Sequence, residues 1–310
     1  MKILVTGGAG FIGSHLVDAF IDQGHEVSII DNLITGRREN INPQATFHEL
    51  DICDEGVADI FAQNRFDVLV HQAAQMDVRR SVEDPRYDAD VNIMGTLNLL
   101  QAAAATGVKR ILFASTGGAI YGEQIEFPAG EEHPAWPESP YGITKLSCER
   151  YIHFFAKNND MSYMLLRYAN VYGPRQNPHG EAGVVAIFSK MLLAGQHPVI
   201  NGDGLQTRDF VYVGDVVRAN VLALEHEGSD YVNIGTGIET NVNDIFRILN
   251  EATGAHAEEK HGPAKPGEQM RSVLSYDKAQ RVLGWQPEVD LKQGLEETVA
   301  FFRELDAVAV

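Results

Sequence analysis

The sequence predicts an α/β protein with a doubly wound parallel sheet, followed by a smaller mixed α/β domain. Over the first 170 residues, short apolar runs of strand character alternate with longer segments of helical periodicity, which is typical of parallel sheets. Glycine or a polar residue follows most of these runs, as turns require. Beyond them the alternation breaks down and loops are more frequent. We expect domains at 1–170 and 171–310, with segments near 208–216 and 232–237 returning to the first domain.

The chain opens with a strand, a glycine-rich turn, a helix and a second strand. The first strand is predicted at 2–6, the helix at 10–23 and the second strand at 26–30. Gly7, Gly10 and Gly13 would permit a tight turn, close approach of a pyrophosphate and close packing of helix on strand. The phosphates would lie at the helix N-terminus, where free N–H groups and the helix dipole favour anions. This order of elements predicts a Rossmann-type dinucleotide site.

Asp31 bears on which dinucleotide is bound. It follows the second strand, close to the interval of about 20 residues at which such carboxylates occur. The carboxylate should accept a hydrogen bond from a ribose 2′-hydroxyl and repel a 2′-phosphate, which favours NAD. Arg37 and Arg38 follow soon after and keep NADP open. The alternative without a cofactor is a plain glycine turn with a surface acid.

Later strands also end at small or polar residues. We predict strands at 46–50, 67–71, 109–114 and 162–168, with helices around Ile60, from Asn92 and over 141–157. Ligands of parallel sheets gather at the carboxyl ends of the strands. The residues just beyond the predicted ends are Gly7, Asp31, Asp51, Ala73, Ser115 and Asn170. We therefore expect them to lie along one edge of the sheet, with the polar–apolar pair Asp51-Ile52 suited to an adenine ring.

A tyrosine and a lysine four residues apart form the candidate redox pair. On a helix, Tyr141 and Lys145 would lie on the same face, one turn apart. The lysine charge could stabilise a phenolate and lower a tyrosine pKa that starts near 10, making the tyrosine a usable acid or base. The alternative is an ordinary exposed pair on a helix surface.

Composition narrows the classes of partner and compartment. The net charge of −18 argues against nucleic acid and anionic membranes, which need a basic surface. Only two cysteines occur, Cys53 and Cys148, so neither a disulfide scaffold nor a zinc site, nor any other metal site, is predicted. The glycine-rich strand unit begins at once, and no apolar run approaches the roughly 20 residues of a membrane helix. We expect a cytosolic protein.

Taken together, the motifs resemble those of the extended short-chain dehydrogenases/reductases, and among them the UDP-glucose 4-epimerases and close relatives. The similarity extends over nearly the full length. It rests on Gly7-x-x-Gly10-x-x-Gly13, Asp31-Asn32-Leu33, Asp51-Ile52, Val91-Asn92-x-x-Gly95-Thr96, Tyr141-x-x-x-Lys145, Arg167-Tyr168-x-Asn170-x-Tyr172-Gly173-Pro174, the run from Asp203-Gly204 through Arg208-Asp209-Phe210 to Asp215, and Leu283-Gly284-Trp285.

The resemblance implies a chemistry and a set of cofactor contacts. Tyr141 would remove the proton of a sugar 4-hydroxyl while the C4 hydride passes to NAD, and Lys145 would hold the nicotinamide ribose. The 4-keto sugar would turn over and take the hydride back on its other face, so NAD would stay tightly bound. The implied cofactor residues are Gly7, Gly10, Phe11, Ile12, Gly13, Asp31, Asn32, Asp51, Ile52, Ala73, Ala74, Gln75, Asn92, Ser115, Tyr141, Lys145 and Tyr168.

The sequence departs from this pattern at the hydroxyl that assists the tyrosine. The pattern has serine or threonine four residues before Tyr121, where this chain has Gly117. Thr116 is the favoured replacement, while Ser115 or a water remains open. Related dehydratases and decarboxylases, which are lyases, carry acids in the same loop, where this chain has Gly118 and Ala119. A proton carrier for elimination is therefore missing, which favours epimerisation. A keto-sugar reductase and a non-catalytic dinucleotide sensor are further alternatives.

The second half should bind the UDP-sugar. The resemblance assigns the diphosphate to Arg208 and to Lys265 or Arg271, the uridine ribose to Glu268, and a phosphate or sugar oxygen to Asn170. An ion pair of Arg208 with Asp209 or Asp203 is the structural alternative. The implied substrate residues are Thr116, Tyr141, Asn170, Arg208, Glu268, Arg271 and Ser272. Small Ser272 replaces a residue that narrows the pocket in relatives, which predicts some activity on UDP-N-acetylhexosamines. Relatives also form homodimers through two helices, here about 92–106 and 141–157.

Overall fold

The computed structural model of the chain describes residues 1–178, 183–265 and 269–308. Most strands begin and end at the turn residues that the sequence indicated. The strands of this part of the chain are β1 (Lys2–Thr6), β2 (Glu26–Asp31), β3 (Thr46–Glu49), β4 (Val68–His71), β5 (Arg110–Thr116), β6 (Ser162–Tyr168), β7 (Asn170–Tyr172), β8 (Val199–Asn201), β9 (Thr207–Arg208), β10 (Phe210–Tyr212), β11 (Asp230–Ile234), β12 (Thr240–Asn241) and β13 (Lys260–Gly262).

Helices follow most of the strands of the first half. The α-helices of the described residues are α1 (Phe11–Asp22), α2 (Gly56–Asn64), α3 (Val78–Glu83), α4 (Pro85–Ala89), α5 (Gly95–Thr106), α6 (Gly117–Ile120), α7 (Pro140–Asn158), α8 (Val184–Leu193), α9 (Val213–Glu225), α10 (Val242–Thr253), α11 (Asp277–Leu283) and α12 (Leu291–Val308). A 3₁₀ turn spans Arg38–Asn40, and a π-helical turn at Asp90–Met94 joins α4 to α5.

The main sheet confirms the predicted doubly wound parallel architecture. Within the described residues it has seven strands in the order β11-β6-β5-β4-β1-β2-β3. All neighbouring pairs are parallel, as in the register that sets Leu4 opposite Leu69 and Ser115 opposite Arg167. The strand order reverses between β1 and β4, and ligands bind at such a switch point.

Apolar side chains alternate between the two faces of the sheet, as the strand period of two requires. From β1, Val5 packs with Phe20 of α1 and Val216 of α9 on one face. Leu4 packs with α2, α5 and α7 on the other, for example with Phe61. A third buried cluster joins α8, α10 and α12 in the second half of the chain. The sheet is thus covered on both faces, and only its edges and strand ends can carry a site.

Two predicted elements differ from the observed ones. The helix expected to begin at Asn92 is preceded by α4 and the π-helical turn, so Asn92 lies within a longer helical segment. The run 208–213 is not one strand, because it is interrupted at Asp209 and α9 begins at Val213. Its strand β10 pairs with β7 outside the main sheet, while α9 packs against α1. By contrast, Asp230–Ile234 enters the main sheet as the edge strand β11 beside β6.

In the described ranges, no helix has both the length and the apolar character needed to cross a bilayer. Across the same residues, no group of three His, Cys, Asp or Glu side chains could hold a metal ion. Cys53 is exposed and Cys148 is buried, and both thiols are free.

Candidate active site at the carboxyl edge of the sheet

A cavity of about 450 Å³ opens at the carboxyl ends of β1, β2, β4, β5 and β6. All the residues predicted to contact the cofactor line it, except Asn92. The lining comprises Gly7, Gly10, Phe11, Ile12, Gly13, Ile30, Asp31, Asn32, Ile34, Thr35, Leu50, Asp51, Ile52, Gln72, Ala73, Ala74, Gln75, Met76, Asp77, Arg80, Tyr87, Val91, Ala114, Ser115, Tyr141, Lys145 and Tyr168. The structure thus brings the glycine-rich turn and the Tyr141/Lys145 pair to one cavity.

One position in the turn between β1 and α1 and one in the first turn of α1 accept only glycine. Gly7 has a φ of +71°, and a β-carbon there would lie 2.8 Å from the backbone nitrogen of Ala73. A β-carbon at Gly13 would overlap the carbonyl oxygen of Gly7. Helix α1 starts after Gly10, and no side chain of the described residues caps it. The glycine turn, which has no side chains to obstruct a ligand, and the N-terminus of α1, which has no side-chain cap, fit the pyrophosphate of a dinucleotide.

Asp31 ends β2 with its carboxylate in the cavity wall. Oδ2 accepts from the backbone N–H of Ala9 at 3.0 Å, and Oδ1 accepts from the N–H of Leu33 at 2.8 Å. Burial raises the pKa of this carboxyl, and the two backbone hydrogen bonds oppose that shift. Among the described residues, the lining includes neither Arg37 nor Arg38. Arg38 pairs with Glu49, and Arg37 donates to Asn177 at 3.3 Å.

The neighbouring polar residues belong to the same end of the cavity. Asn32 donates from Nδ2 to Oδ2 of Asp51 at 2.6 Å, and Oδ1 of Asp51 accepts from the N–H of Cys53. Ile52 is buried beside them. A β-carbon at Gly95 would lie 2.6 Å from Cδ1 of Ile52, so the glycine lets the helical segment approach this wall.

Asn92 does not line the cavity, but its side chain forms hydrogen bonds to a residue that does. Its Oδ1 accepts from the N–H of Gln75, and its Nδ2 donates to the carbonyl of Gln75, both at 2.9 Å. The buried carboxylate of Asp88 accepts from Asn92, from the Gln75 side chain and from Thr144. Asn92, which lies in the π-helical turn, thus supports the backbone of Gln75 in the cavity wall.

His71 is a buried residue next to the cavity lining, and the sequence did not predict a role for it. Its Nδ1 is 2.7 Å from the hydroxyl of Thr6, and its Nε2 is 2.9 Å from that of Thr96. Thr6 in turn accepts from the N–H of Ala73 at 3.2 Å. Burial lowers the pKa of His71 to about 3, so the imidazole is neutral. The sequence signal is a histidine at the end of an apolar strand, because a buried imidazole there requires hydrogen-bond partners.

Tyr141 and Lys145 lie in the first turns of α7. Ser139 caps this helix by accepting from the N–H of Gly142, and Pro140 fills the first helical position. Lys145 is 3% exposed, and its Nζ donates to the carbonyl of Ala114 at 2.9 Å. Nζ is 6.0 Å from the ring centre of Tyr141. Burial lowers the pKa of Lys145 to about 8, against the opposing negative charge of Asp88 and Glu149.

The loop after β5 explains why glycine stands at position 117. A β-carbon at Gly117 would lie 2.8 Å from Cδ2 of the buried Leu274 and still closer to its Cδ1. A β-carbon at Gly118 would be 3.8 Å from Oγ1 of Thr116 and 3.6 Å from Oδ1 of Asn170. The Thr116 hydroxyl and the Asn170 side chain therefore face the same space.

The hydroxyls of Ser115 and Thr116 differ in their hydrogen bonds. Ser115 donates to Oε1 of the buried Glu149 at 2.6 Å. The hydroxyl of Thr116 makes no hydrogen bond within the described part of the chain, and its side chain is half-buried. Of the two, Thr116 has the hydroxyl that is available to another group.

Three of the predicted substrate residues, Asn170, Arg208 and Ser272, lie outside the cavity lining on segments joined by Asp209. The N–H of Asp209 donates to the carbonyl of Ser272, and its carbonyl accepts from the N–H of Asn170, both at 2.9 Å. Its buried carboxylate accepts from Thr236, from Gly237 and from the N–H of Leu274. Burial raises the pKa of Asp209. Asp209 thus gathers Asn170, its neighbour Arg208 and Ser272 into one region.

Arg271 and Arg208, two predicted substrate residues, have contacts of their own. Arg271 pairs with Glu239 at 2.7 Å, and its guanidinium is 3.7 Å from the ring centre of Phe127. Glu268 lies outside the described residues. Arg208 donates from Nη1 to the carbonyl of Thr207.

Comparison with known proteins identifies the group to which this arrangement belongs. Residues 3–235 match the model of the NAD dependent epimerase/dehydratase family. The UDP-glucose 4-epimerase of Mycolicibacterium smegmatis is 44% identical over 98% of this chain and 99% of its own.

Solved structures agree over the whole chain. A UDP-glucose 4-epimerase of Thermotoga maritima, crystallised with UDP-glucose, has a TM-score of 0.96 at 50% identity, covering 98% of this chain and 99% of that one. The Thermus thermophilus UDP-glucose 4-epimerase, solved as a complex with NAD, has a TM-score of 0.92 at 44% identity, with the same coverage of each chain. The chain therefore belongs to the NAD dependent epimerase/dehydratase family.

Proposed function

We propose that the protein catalyses the NAD-dependent 4-epimerisation of a UDP-hexose, interconverting UDP-glucose and UDP-galactose. The observation that carries this proposal is that Tyr141 and Lys145 line the same cavity as the glycine-rich turn and Asp31. The UDP-glucose 4-epimerases that match the full chain at 44–50% identity support the choice of reaction.

The cavity supplies the groups that NAD requires. The N–H groups at the start of α1, left bare at Gly10, would receive the pyrophosphate. Asp31 would accept a hydrogen bond from a hydroxyl of the adenosine ribose. Because Arg38 is already paired with Glu49, NAD is favoured over NADP. Asp51 and Ile52 would border the adenine. Asn92 would act through the backbone of Gln75 instead of touching the cofactor.

The proton chemistry is assigned to Tyr141, with Lys145 and Thr116 beside it. Bound NAD supplies the acceptor and donor of the C4 hydride. Tyr141 would take the proton of the sugar 4-hydroxyl and later return one, and the charge of Lys145 would stabilise its phenolate. Thr116 would replace the hydroxyl missing at Gly117, because Ser115 already donates to Glu149. Since the same hydride leaves and returns, NAD would not be consumed.

The nucleotide-sugar would bind beside this pair, in the second domain at 171–310. We assign the diphosphate to Arg208, a sugar or phosphate oxygen to Asn170, and the uridine ribose to Glu268. The link through Asp209 supports a shared site for Asn170, Arg208 and Ser272. Arg271 would have to leave Glu239 to reach a phosphate, so Lys265 is the alternative cation. Small Ser272 would leave room for UDP-N-acetylhexosamines.

Homodimer formation through α5 and α7 is part of the proposal. Helix α7 exposes the large apolar side chains of Ile143, Tyr151 and Phe154, and Met94, just before α5, is also exposed. Exposed apolar side chains of this size are costly in water and are typical of an interface between subunits. The two free cysteines fit a reducing cytoplasmic location.

A nucleotide-sugar panel assayed without added NAD tests the proposal. Purified protein should convert UDP-galactose into UDP-glucose and release NAD on denaturation, while Tyr141→Phe should bind the sugar nucleotide without turnover. A reductase would need added cofactor, and a dehydratase or decarboxylase would lose water or carbon dioxide. Full activity of Tyr141→Phe would refute the assigned mechanism. Turnover of UDP-galactose without either UDP-N-acetylhexosamine would refute the inference from Ser272.

A further inference from the structure

A buried ion pair lies directly beneath the candidate active site. Glu149 of α7 and Arg167 of β6 have side chains that are 2% and 4% exposed. Arg167 donates from Nε to Oε1 at 2.9 Å and from Nη2 to Oε2 at 2.7 Å. This bidentate geometry fixes the orientation of both side chains. Burial alone would lower the pKa of Arg167, but the hydrogen bonds and charge of Glu149 raise it above its ordinary value.

The pair contacts both ends of the segment 115–121, which comprises the end of β5, α6 and Tyr121, carries Thr116, and is called the loop 115–121 below. At the start of the loop, Ser115 donates to Oε1 of Glu149 at 2.6 Å. At its end, the hydroxyl of Tyr121 accepts from Nη1 of Arg167 at 3.0 Å and donates to Asn233 at 2.7 Å. Both Ser115 and Tyr121 are buried. The segment 115–121 is therefore held at its two ends by one ion pair.

The same pair also sets the position of α7 on the sheet. Glu149 lies one turn after Lys145 on α7, so the two side chains share a face of the helix. Lys145 donates to the carbonyl of Ala114, and Glu149 accepts from the adjacent Ser115. Successive turns of α7 are thus joined to successive residues of β5. Because Tyr141 is one turn before Lys145, the placement of its hydroxyl depends on this registration.

We infer that Glu149 and Arg167 are positioning residues, which clamp the loop 115–121 against α7 and so fix the Thr116 hydroxyl relative to Tyr141. This inference rests on the proposed function, since it concerns the geometry of the same reaction. Neither residue lines the cavity, so their effect on catalysis passes through the position of the Thr116 hydroxyl relative to Tyr141. Loss of the clamp would shift two groups whose relative position must be held within about 0.5 Å for catalysis.

A double-mutant cycle separates this role from a merely structural one. The variants are Glu149→Gln, Thr116→Val and their combination, compared by kcat, KM and the NAD content of the purified proteins. Glu149→Gln should lower kcat about tenfold, in line with the cost of a small misplacement, with KM and NAD content near wild type. In the Thr116→Val background the same change should lower kcat by less than about twofold, because the group it positions is gone.

Tyr121→Phe provides a second route to the same test. It removes the hydrogen bonds to Arg167 and Asn233 while keeping the ring, and circular dichroism would verify that the protein is folded. If Glu149→Gln does not fold, Tyr121→Phe replaces it in the cycle and should show the same dependence on Thr116. Equal fold losses of kcat with and without Thr116, or a wild-type kcat in the folded single variant, would overturn the inference. A wild-type protein without epimerase activity would instead refute the proposed function.

Discussion

The side chain of Leu274 occupies the space that a β-carbon at Gly117 would need. Leu274 is fully buried, and its backbone N–H donates to the carboxylate of Asp209. The segment that carries Ser272 is therefore packed directly against the loop that carries Thr116. The glycine that breaks the expected hydroxyl pattern is a packing requirement of this contact.

Gly117→Ser should destabilise the protein because it overpacks this contact. Extra atoms in a well-packed core typically cost about 1–3 kcal/mol of the free energy of unfolding. Urea unfolding would measure the loss, and Gly130→Ser is the matched control, since a β-carbon there meets nothing within 4 Å. The double variant with Leu274→Ala should lose less than the two single losses combined. A Gly117→Ser protein as stable as wild type would show that Leu274 leaves room at this position.

Thr116→Val should lower kcat by roughly 100-fold, the lower end of what positioned proton-transfer groups contribute. Valine keeps the shape of threonine and removes the hydroxyl, so KM and NAD content should change little. Steady-state kinetics with UDP-galactose would measure the effect. Thr106→Val is the control, because that hydroxyl bonds only to the end of α5. An unchanged kcat in Thr116→Val would transfer the role to Ser115 or to water.

His71 should make the protein less stable as the pH falls. The pKa of His71 is lowered to about 3 in the folded state, against an ordinary value of 6.5. Between these values the unfolded chain binds one more proton, so the free energy of unfolding rises with pH in this window. Between pH 6.5 and pH 4, His71 should account for a loss of roughly 3 kcal/mol, from about 1.4 kcal/mol per pH unit.

Comparing His71→Asn with wild type isolates this contribution. The slope of unfolding free energy against pH should flatten in the variant, whatever its absolute stability. His256→Asn is a suitable control, since His256 is exposed and its positive φ is one that asparagine tolerates. Parallel slopes for wild type and His71→Asn would mean that the pKa of His71 is the same in the folded and unfolded states.

Phe154→Arg should dissociate the proposed homodimer. Phe154 is 58% exposed on α7, in line with Ile143 and Tyr151 on the outer face of the helix. A charge at the centre of an apolar interface lacks a partner and is costly to bury. Light scattering coupled to size-exclusion chromatography would report the mass, with Val199→Arg as the control of equal charge on β8. A wild-type monomer would contradict the interface.

The sequence predicted which residues meet in the cavity, because the relevant rule is local. Parallel strands end at the same edge, so the residues that follow Thr6, Ile30 and Ala114 had to meet there. The place of Asn92 behind the cavity lining was not predicted, because it lies in a π-helical turn that no local pattern indicated. The strand predicted at 208–213 failed for a similar reason. Asp209 interrupts it to bind backbone groups remote in sequence.

Glu149 and Arg167 could have been suspected from the sequence. Glu149 follows Tyr141 and Lys145 at intervals of four, on the face of α7 that also carries apolar Cys148 and Ile152. A carboxylate on a buried face requires a cation, and Arg167 lies within a buried strand. That the two pair with each other follows only from the packing of α7 on β6, which is a tertiary relationship.

The fate of the C4 hydrogen tests the central claim most directly. UDP-galactose deuterated at C4 would be incubated in ordinary water with purified protein and no added NAD, and the UDP-glucose formed would be analysed by mass spectrometry and NMR. Because the proposed reaction returns the same hydride, deuterium should be retained at C4. Loss of deuterium to water, or its appearance in released NADH, would contradict 4-epimerisation by hydride return.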